Sequence, residues 1–404
     1  MNSERPREID DEGAGAVFAR RLRALHPART VLSVLVVALA IFVLVERSWV
    51  EAEFRAVAVL STTSKLPVLA WTVRVLTDKP RVEDELVAGV PTTVARPGKG
   101  SRWPAIVFVN GVTARGRHHP DVERLANGLA RVGFIVFVPD PPGLRKGEIT
   151  RKTLSGTIAV IRAAVDQPDV RHGRAALVGV SNGTTLSLLA AESPSLAGRI
   201  SVVSGIAPYT DLADMIRLAT TGNYLEDGHL VPYQAKPFLG LVIARSLVAA
   251  LPPSRDRDTV LARLLRLGEN TFDPLALFRK LPIGKVTPSM RPLVKLLANR
   301  DSRRFDRLYA ALSPSMRADV ARLSPIHEAR RLIAPVYIAS APHDKYFPLF
   351  ETRDLARRAT NTQVSLTVTS TLHHAIPSIS LSGLGALFRF NGWMVRSLRA
   401  ARRG

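Results

Sequence analysis

The chain is read as an α/β protein with a mostly parallel sheet covered by helices on both faces, and three observations predict this. From residue 82 onward short apolar runs alternate with segments of helical period, the central runs are apolar at nearly every position, and Gly and Pro punctuate many of the joints. A strand with one wet face alternates apolar and polar residues, whereas one covered on both faces is a continuous run of Val, Ile and Phe.

VEDELVAG and VPTTVARP form an antiparallel pair broken near Gly89, and RPGKGS is a turn. PAIVFVNG is a buried strand from Ala105 to Val109. PDVERLANGLARVG is a helix with Val122, Leu125, Ala126 and Leu129 on one face. A second buried strand runs from Phe134 to Val138, TLSGTIAVIRAAV is helical, AALVGV is a strand, TLSLLAAE is a helix, and RISVVSGIA (Arg199 to Ala207) is a strand. The alternation then stops for more than a hundred residues. KPFLGLVIARSLVAAL and DRDTVLARLLRLG are helical by period, with LPP and LPIGKVTPSM as joints, so 208–325 reads as a helical insertion. The pattern resumes with APVYIAS (Ala334 to Ser340), a helix around FETRDLARRA, and the strand QVSLTVTS, so the core comprises 81–207 and 326–404.

Of the 404 residues, 46% are hydrophobic and only 22% charged, which fits a packed body and excludes global disorder. The net charge of +22 suits an anionic surface. The arginines are dispersed, no helix-turn-helix, RNA-recognition or zinc-finger signature accompanies them, and the terminal RSLRAARRG is too short for a nucleic-acid tail. Nucleic acid is therefore not an expected partner. With no cysteine, disulfides, thiolate nucleophiles and Cys-ligated metals are excluded.

Residues 31–45, VLSVLVVALAIFVLV, are apolar apart from Ser33 and follow the basic ARRLRALHPAR. Extended from Ala28 to Trp49 they reach roughly 33 Å as a helix, the thickness of a bilayer core. A single-pass signal anchor over 31–48 is the favoured reading, over a cleaved signal, which lacks a good cleavage site, and over an interfacial helix. Arg20, Arg21, Arg23 and Arg29 precede the run and Glu46, Glu51 and Glu53 follow it, which puts 1–30 in the cytoplasm as a basic tail and the globular part outside. The stretch 49–80 contains Lys65, Pro67 and Arg74 and reads as interfacial or packing helices.

The chemistry centres on Gly179-Val180-Ser181-Asn182-Gly183. The motif occurs by chance, but here it joins a strand to a helix, the one place where a sharp turn exposes a serine hydroxyl at a helix N-terminus and where flanking glycines are needed. Such a serine needs a base oriented by a carboxylate. Asp344, just past the strand APVYIAS, is the favoured acid. Asp211 is its rival, with the alternative role of capping the next helix. His373 and His374 of STLHHAIP follow the last strand and supply the base. Backbone N–H groups of Val112, behind Asn110-Gly111, and of Asn182 are the oxyanion donors. His118, His119 and His343 lack metal-ligand spacing and read as solvated loop residues; no metal or cofactor is expected.

Together PAIVFVNG, LARVGFIVFVPDPPGLRKG, LVGVSNGTTLSLLAA and PVYIASAPHDKYFP resemble the esterase and dienelactone-hydrolase-like branches of the α/β-hydrolase superfamily, over about residues 82–385 without the insertion. The resemblance implies the α/β-hydrolase fold, with a mostly parallel sheet, helices on both faces, a helical lid at 208–325 and here an added N-terminal apolar helix. It implies Ser181 as nucleophile, Asp344 as acid through the D-x-x-x-P pattern from Asp344 to Pro348, and His374 over His373 through HAIP. Two features depart from the family: Asn110-Gly111 stands where His-Gly is frequent, and the cysteine nucleophile of dienelactone hydrolases proper is absent. A membrane-anchored serine esterase acting on a small or lipid-like acyl substrate is the implied activity. The alternatives are a non-catalytic binding module on the same fold and an acyltransferase.

Overall fold

The computed structural model describes residues 77–373, 376–377 and 384–404, together with Glu53, Arg55, Ala56, Ala58 and Val75. Almost all of the N-terminal 76 residues, including the expected anchor at 31–48 and most of the helices expected over 49–80, lie outside the described residues, as does His374. Among the described residues no helix is long and apolar enough to cross a membrane.

In chain order the core elements are β1 (Arg81–Val87), β2 (Val90–Arg96), β3 (Trp103–Val109), α1 (Pro120–Arg131), β4 (Ile135–Pro139), α2 (Arg151–Val165), β5 (Val170–Val180), α3 (Asn182–Ala191) and β6 (Ile200–Ile206). Between β6 and the next core strand lie α4 (Leu212–Thr221), a hairpin of β7 (Asn223–Glu226) and β8 (His229–Pro232), α5 (Phe238–Ala250), α6 (Arg255–Arg266), α7 (Ala276–Lys280), α8 (Arg291–Leu297), α9 (Ser302–Ala310) and α10 (Pro314–Arg322). The core closes with β9 (Val336–Ser340), α11 (Leu349–Arg358), β10 (Val364–Val368), the two-residue strands β11 (Leu372–His373) and β12 (Ile376–Pro377), and α12 (Leu384–Arg402).

Eight strands form one sheet in the order β1-β2-β4-β3-β5-β6-β9-β10, with only β2 antiparallel to its neighbours. The continuous apolar runs are the reason: every residue of β3, β4 and β6 is buried, which requires helices on both faces. Helices α2 and α3 pack together against β5 on one face. On the other face α12 lies across β6 and β9, and the Ser204 and Ser397 hydroxyls are bonded at 2.5 Å. The RSLRAARRG tail belongs to this arrangement, since it forms the end of α12 and the Arg171 guanidinium donates to the Arg402 carbonyl.

Because β3, β5, β6, β9 and β10 run parallel, the loops after them all emerge at one edge of the sheet. That edge is where open α/β sheets bind ligands. The segment between β6 and β9 is not only helical. The β7–β8 hairpin turns on Asp227-Gly228, both with positive φ (50° and 84°), which is Asp-Gly turn chemistry.

Two buried ionisable groups tie this segment to the core. Arg245 of α5 donates to the carbonyls of Lys146, Leu264 and Leu267 at 3.0, 3.0 and 2.7 Å. Glu351 of α11 accepts from the backbone N–H groups of Thr210 (2.6 Å) and Asp211 (2.8 Å) and from the Thr210 hydroxyl (3.0 Å), clamping the loop after β6. Burial, with Asp211 and Asp214 close by, pushes the Glu351 carboxyl up to about 8. The unfolded chain therefore releases this proton at lower pH than the folded one, so the Glu351 contribution to stability falls as pH rises from about 4.5 to about 8. Thermal melts across that window are expected to decline more steeply for the native chain than for Glu351→Gln, which has no proton to lose; parallel slopes would refute the assignment.

Candidate active site

Ser181 is the first residue beyond β5 and stands at the N-cap of α3 with φ 55° and ψ −126°, a region that side chains other than glycine rarely occupy. Holding it costs about 1–3 kcal/mol, and the surroundings fix it from every side. Its N–H donates to the Ile206 carbonyl at 2.8 Å, and its own carbonyl accepts from the N–H groups of Thr184 (2.9 Å) and Thr185 (3.3 Å). The Thr184 hydroxyl bridges the Ile206 N–H and C=O at 3.1 and 3.0 Å, locking α3 to the end of β6.

The glycines of the motif make the close approach possible. A Cβ on Gly179 would lie 2.5 Å from Thr184 backbone atoms, and one on Gly183 would lie 2.0 Å from the Val109 carbonyl oxygen. Gly111 is less tightly held, with the Val180 carbonyl oxygen 3.2 Å from an added Cβ. A Cβ there would sit 3.4 Å from the Ser181 Cβ, so the loop after β3 runs directly alongside the serine.

Ser181, Val112 and Asn182 line a single cavity of about 430 Å³ at the carboxyl edge of the sheet. Asn182 is the first residue of α3, where backbone N–H groups lack intrahelical partners and the helix dipole favours negative charge. Asp344 lies four residues past β9 at the same edge, buried, with Oδ1 accepting from the N–H groups of Tyr346 (2.8 Å) and Phe347 (3.1 Å), both of which line the cavity. Tyr233, the residue after β8, donates its hydroxyl to the Asp344 carbonyl at 2.5 Å. Burial and the nearby Asp344 charge push the Tyr233 phenol up to about 12, so it stays a donor. Asp211 caps α4, accepting from the N–H groups of Ala213 (2.8 Å) and Asp214 (3.3 Å).

The STLHHAIP segment doubles back, with Leu372 opposite Pro377 and His373 opposite Ile376. His374, between them, lies outside the described residues. Of the histidines expected in solvent, His343 is exposed and His118 faces Asp84 and Glu123. His119 differs: its ring Nδ1 accepts from the Asp121 N–H at 3.3 Å as cap of α1, and it lines the cavity. Its place directly before Pro120, the first residue of α1, was the signal for the cap. The walls also draw on Tyr209, Val242 and Ile243, and on Phe390, Trp393 and Met394 of α12, which single-residue motifs do not reveal.

No known family profile matches the sequence, and no curated protein is similar to it. Solved structures similar in fold include an acylaminoacyl peptidase of Pyrococcus horikoshii (12% identity over 76% of this chain and 39% of that one, TM-score 0.41) and a puromycin-hydrolyzing peptidase of Mycobacterium tuberculosis (16%, 79% and 37%, TM-score 0.42). Est1E of Butyrivibrio proteoclasticus is matched over 80% of this chain and 99% of its own, at 11% identity and TM-score 0.42. The chain thus spans about two fifths of the first two. What assigns the fold is the strand order, with β2 alone reversed and a strained serine after β5. The fold is α/β-hydrolase-like. In this α/β-hydrolase-like frame the elbow serine, the loop after β3 and the loop after β9 meet at one edge.

Gly183→Ala tests the elbow. With a backbone carbonyl 2.0 Å from the new carbon, α3 must move, and a loss of about 3 kcal/mol or more in urea unfolding is expected; a variant as stable as the native chain would show that the contact yields.

Proposed function

We propose that the chain is a serine hydrolase that cleaves a carboxylic ester or related acyl bond through an acyl-enzyme. The observation that carries this reading is Ser181 itself, a non-glycine residue held at φ 55° between β5 and α3 on the wall of a mainly apolar cavity. Strain of this kind at a serine that joins a strand to a helix and lines a cavity supports a role for its hydroxyl.

In this reading His374 takes the Ser181 proton as Oγ attacks the substrate carbonyl carbon, and Asp344 holds the imidazole. The oxyanion accepts from the N–H groups of Val112 and Asn182. Collapse of the tetrahedral species breaks the bond to the leaving group, which departs with the proton from His374; water then attacks the acyl-enzyme by the same route in reverse. Helices α4 and α5, which supply Leu212, Met215, Val242 and Ile243 to the cavity, act as its cover, the role expected of a lid. The apolar run at 31–48 anchors the chain in a membrane with the hydrolase domain on the extracytoplasmic side.

A fluorophosphonate is expected to label the native protein and not Ser181→Ala, and an unlabelled native protein would leave a binding module as the answer. Ser181→Ala and Asp344→Asn are each expected to lower kcat by about 10⁴. Asp211→Asn, altering only a helix cap, is expected to keep kcat and lose about 1 kcal/mol at most in urea unfolding; the opposite ranking of the two aspartates would exchange their roles. Product analysis with competing alcohols separates hydrolysis from acyl transfer. Removal of residues 1–48 is expected to move the protein from the membrane pellet to the supernatant.

A further inference from the structure

The lining of the cavity falls into two sets, each treated as one arm of it. One set comes from α4 and α5, with Leu212, Met215, Val242 and Ile243. The other comes from α1, from α12 and from the face of the sheet between them. Its floor is a row of paired residues, Phe108 of β3, Val178 of β5 and Ser204 of β6, one pleat below the level of Ser181. Val178 is partly accessible although it sits in a central strand, while its neighbours Ala176 and Leu177 are 0% exposed, so open space reaches the sheet itself.

The two helices give the direction. Both run away from the carboxyl edge: α1 starts soon after the β3 loop and leads into β4, and the end of α12 meets Ser201 at the beginning of β6. Along α1 the lining passes from Val122 to Leu129, about 10 Å, and along α12 from Leu387 to Leu398, about 16 Å. The far residues Leu129 and Leu398 are 3% and 7% exposed, so protein covers this end of the lining. The Ser204 and Ser397 hydroxyls are bonded at 2.5 Å and Ser397 donates to the Trp393 carbonyl at 2.8 Å, while the buried Trp393 ring N–H has no partner among the described residues. Leu125, Leu129, Phe390, Met394 and Leu398 make the lining from the two helices mainly apolar.

We infer that this arm holds the linear alkyl chain of a fatty-acyl group while the group is bonded to Ser181. The inference rests on the serine-hydrolase reading and names its substrate class. In a two-step reaction the leaving group must depart and water must enter, while the acyl group stays attached. The group that stays belongs in the arm built from core elements. A chain there removes apolar surface from water on both partners, and each added methylene contributes to binding until the end at Leu129 and Leu398 is reached.

The test measures kcat/KM on p-nitrophenyl acetate, octanoate and laurate, and binding of laurate to Ser181→Ala by calorimetry. The native chain is expected to favour laurate over acetate by about tenfold or more, and Met394→Trp and Leu129→Trp, which fill the arm, to lower that ratio by about tenfold. Val242→Trp, in the other arm, is expected to leave the ratio in place. Equal rates on all three esters, or a ratio that falls only in Val242→Trp, would overturn the inference while leaving the hydrolase reading intact. Absence of turnover on every ester would overturn the hydrolase reading instead. In that case laurate binding to Ser181→Ala that Met394→Trp weakens still supports the arm, and no binding refutes it. Because the readout is a ratio, a partly misfolded variant does not mimic the expected result, and fluorophosphonate labelling reports which variants keep the elbow.

Discussion

The backbone of Ser181 is the constraint on which the rest of the structure turns. To present a hydroxyl above the sheet, the chain must leave β5, reverse within one residue at positive φ, and enter α3 while that helix presses onto β3, β5 and β6. The approach is so close that side chains are excluded at Gly179 and Gly183, and the Thr184 hydroxyl must substitute for a strand partner at Ile206. A strained residue survives only where its surroundings over-determine it, and here a strand end, a helix start and two glycines do so together. The all-buried strands follow from the same requirement, since a sheet that carries helices on both faces is rigid enough to hold one residue out of its comfortable range.

Around that point the loops are held by buried polar groups rather than by apolar packing alone. Glu351 clamps the loop after β6, Tyr233 reaches from the end of β8 to the Asp344 loop, and Arg245 fastens α5 to the core and to α6. Each is a charged or polar side chain answering backbone groups that would otherwise be buried without partners. The cavity itself is left mainly apolar, and Val112 and Asn182 line it beside Ser181.

Much of this is legible in the sequence. The strand and helix alternation placed β3 to β6, β9 and β10, because a doubly covered strand has to be apolar throughout and that leaves an unmistakable pattern. Asp211 had a cap position written beside it, directly before a helical run. The β7–β8 hairpin is hidden inside a helical region although Asp227-Gly228 is turn chemistry, because its strands are only four residues each and carry little periodic signal. The sequence pattern makes His119 a solvated residue, and its place on the cavity wall depends on tertiary contacts that no local pattern encodes.

The sequence by itself determined the alternating architecture, the elbow motif and the order in which the serine, the acid and the histidines arrive, because these depend on period, turn chemistry and position along the chain. The tertiary structure decided which loops share an edge, how Asp344 is held, and that a cleft runs from Ser181 down the sheet beneath α12. The physical reason is that a cavity is a property of surfaces meeting. Phe108, Val178, Leu129 and Met394 each read as ordinary core residues, and only their failure to close on one another makes a site of them.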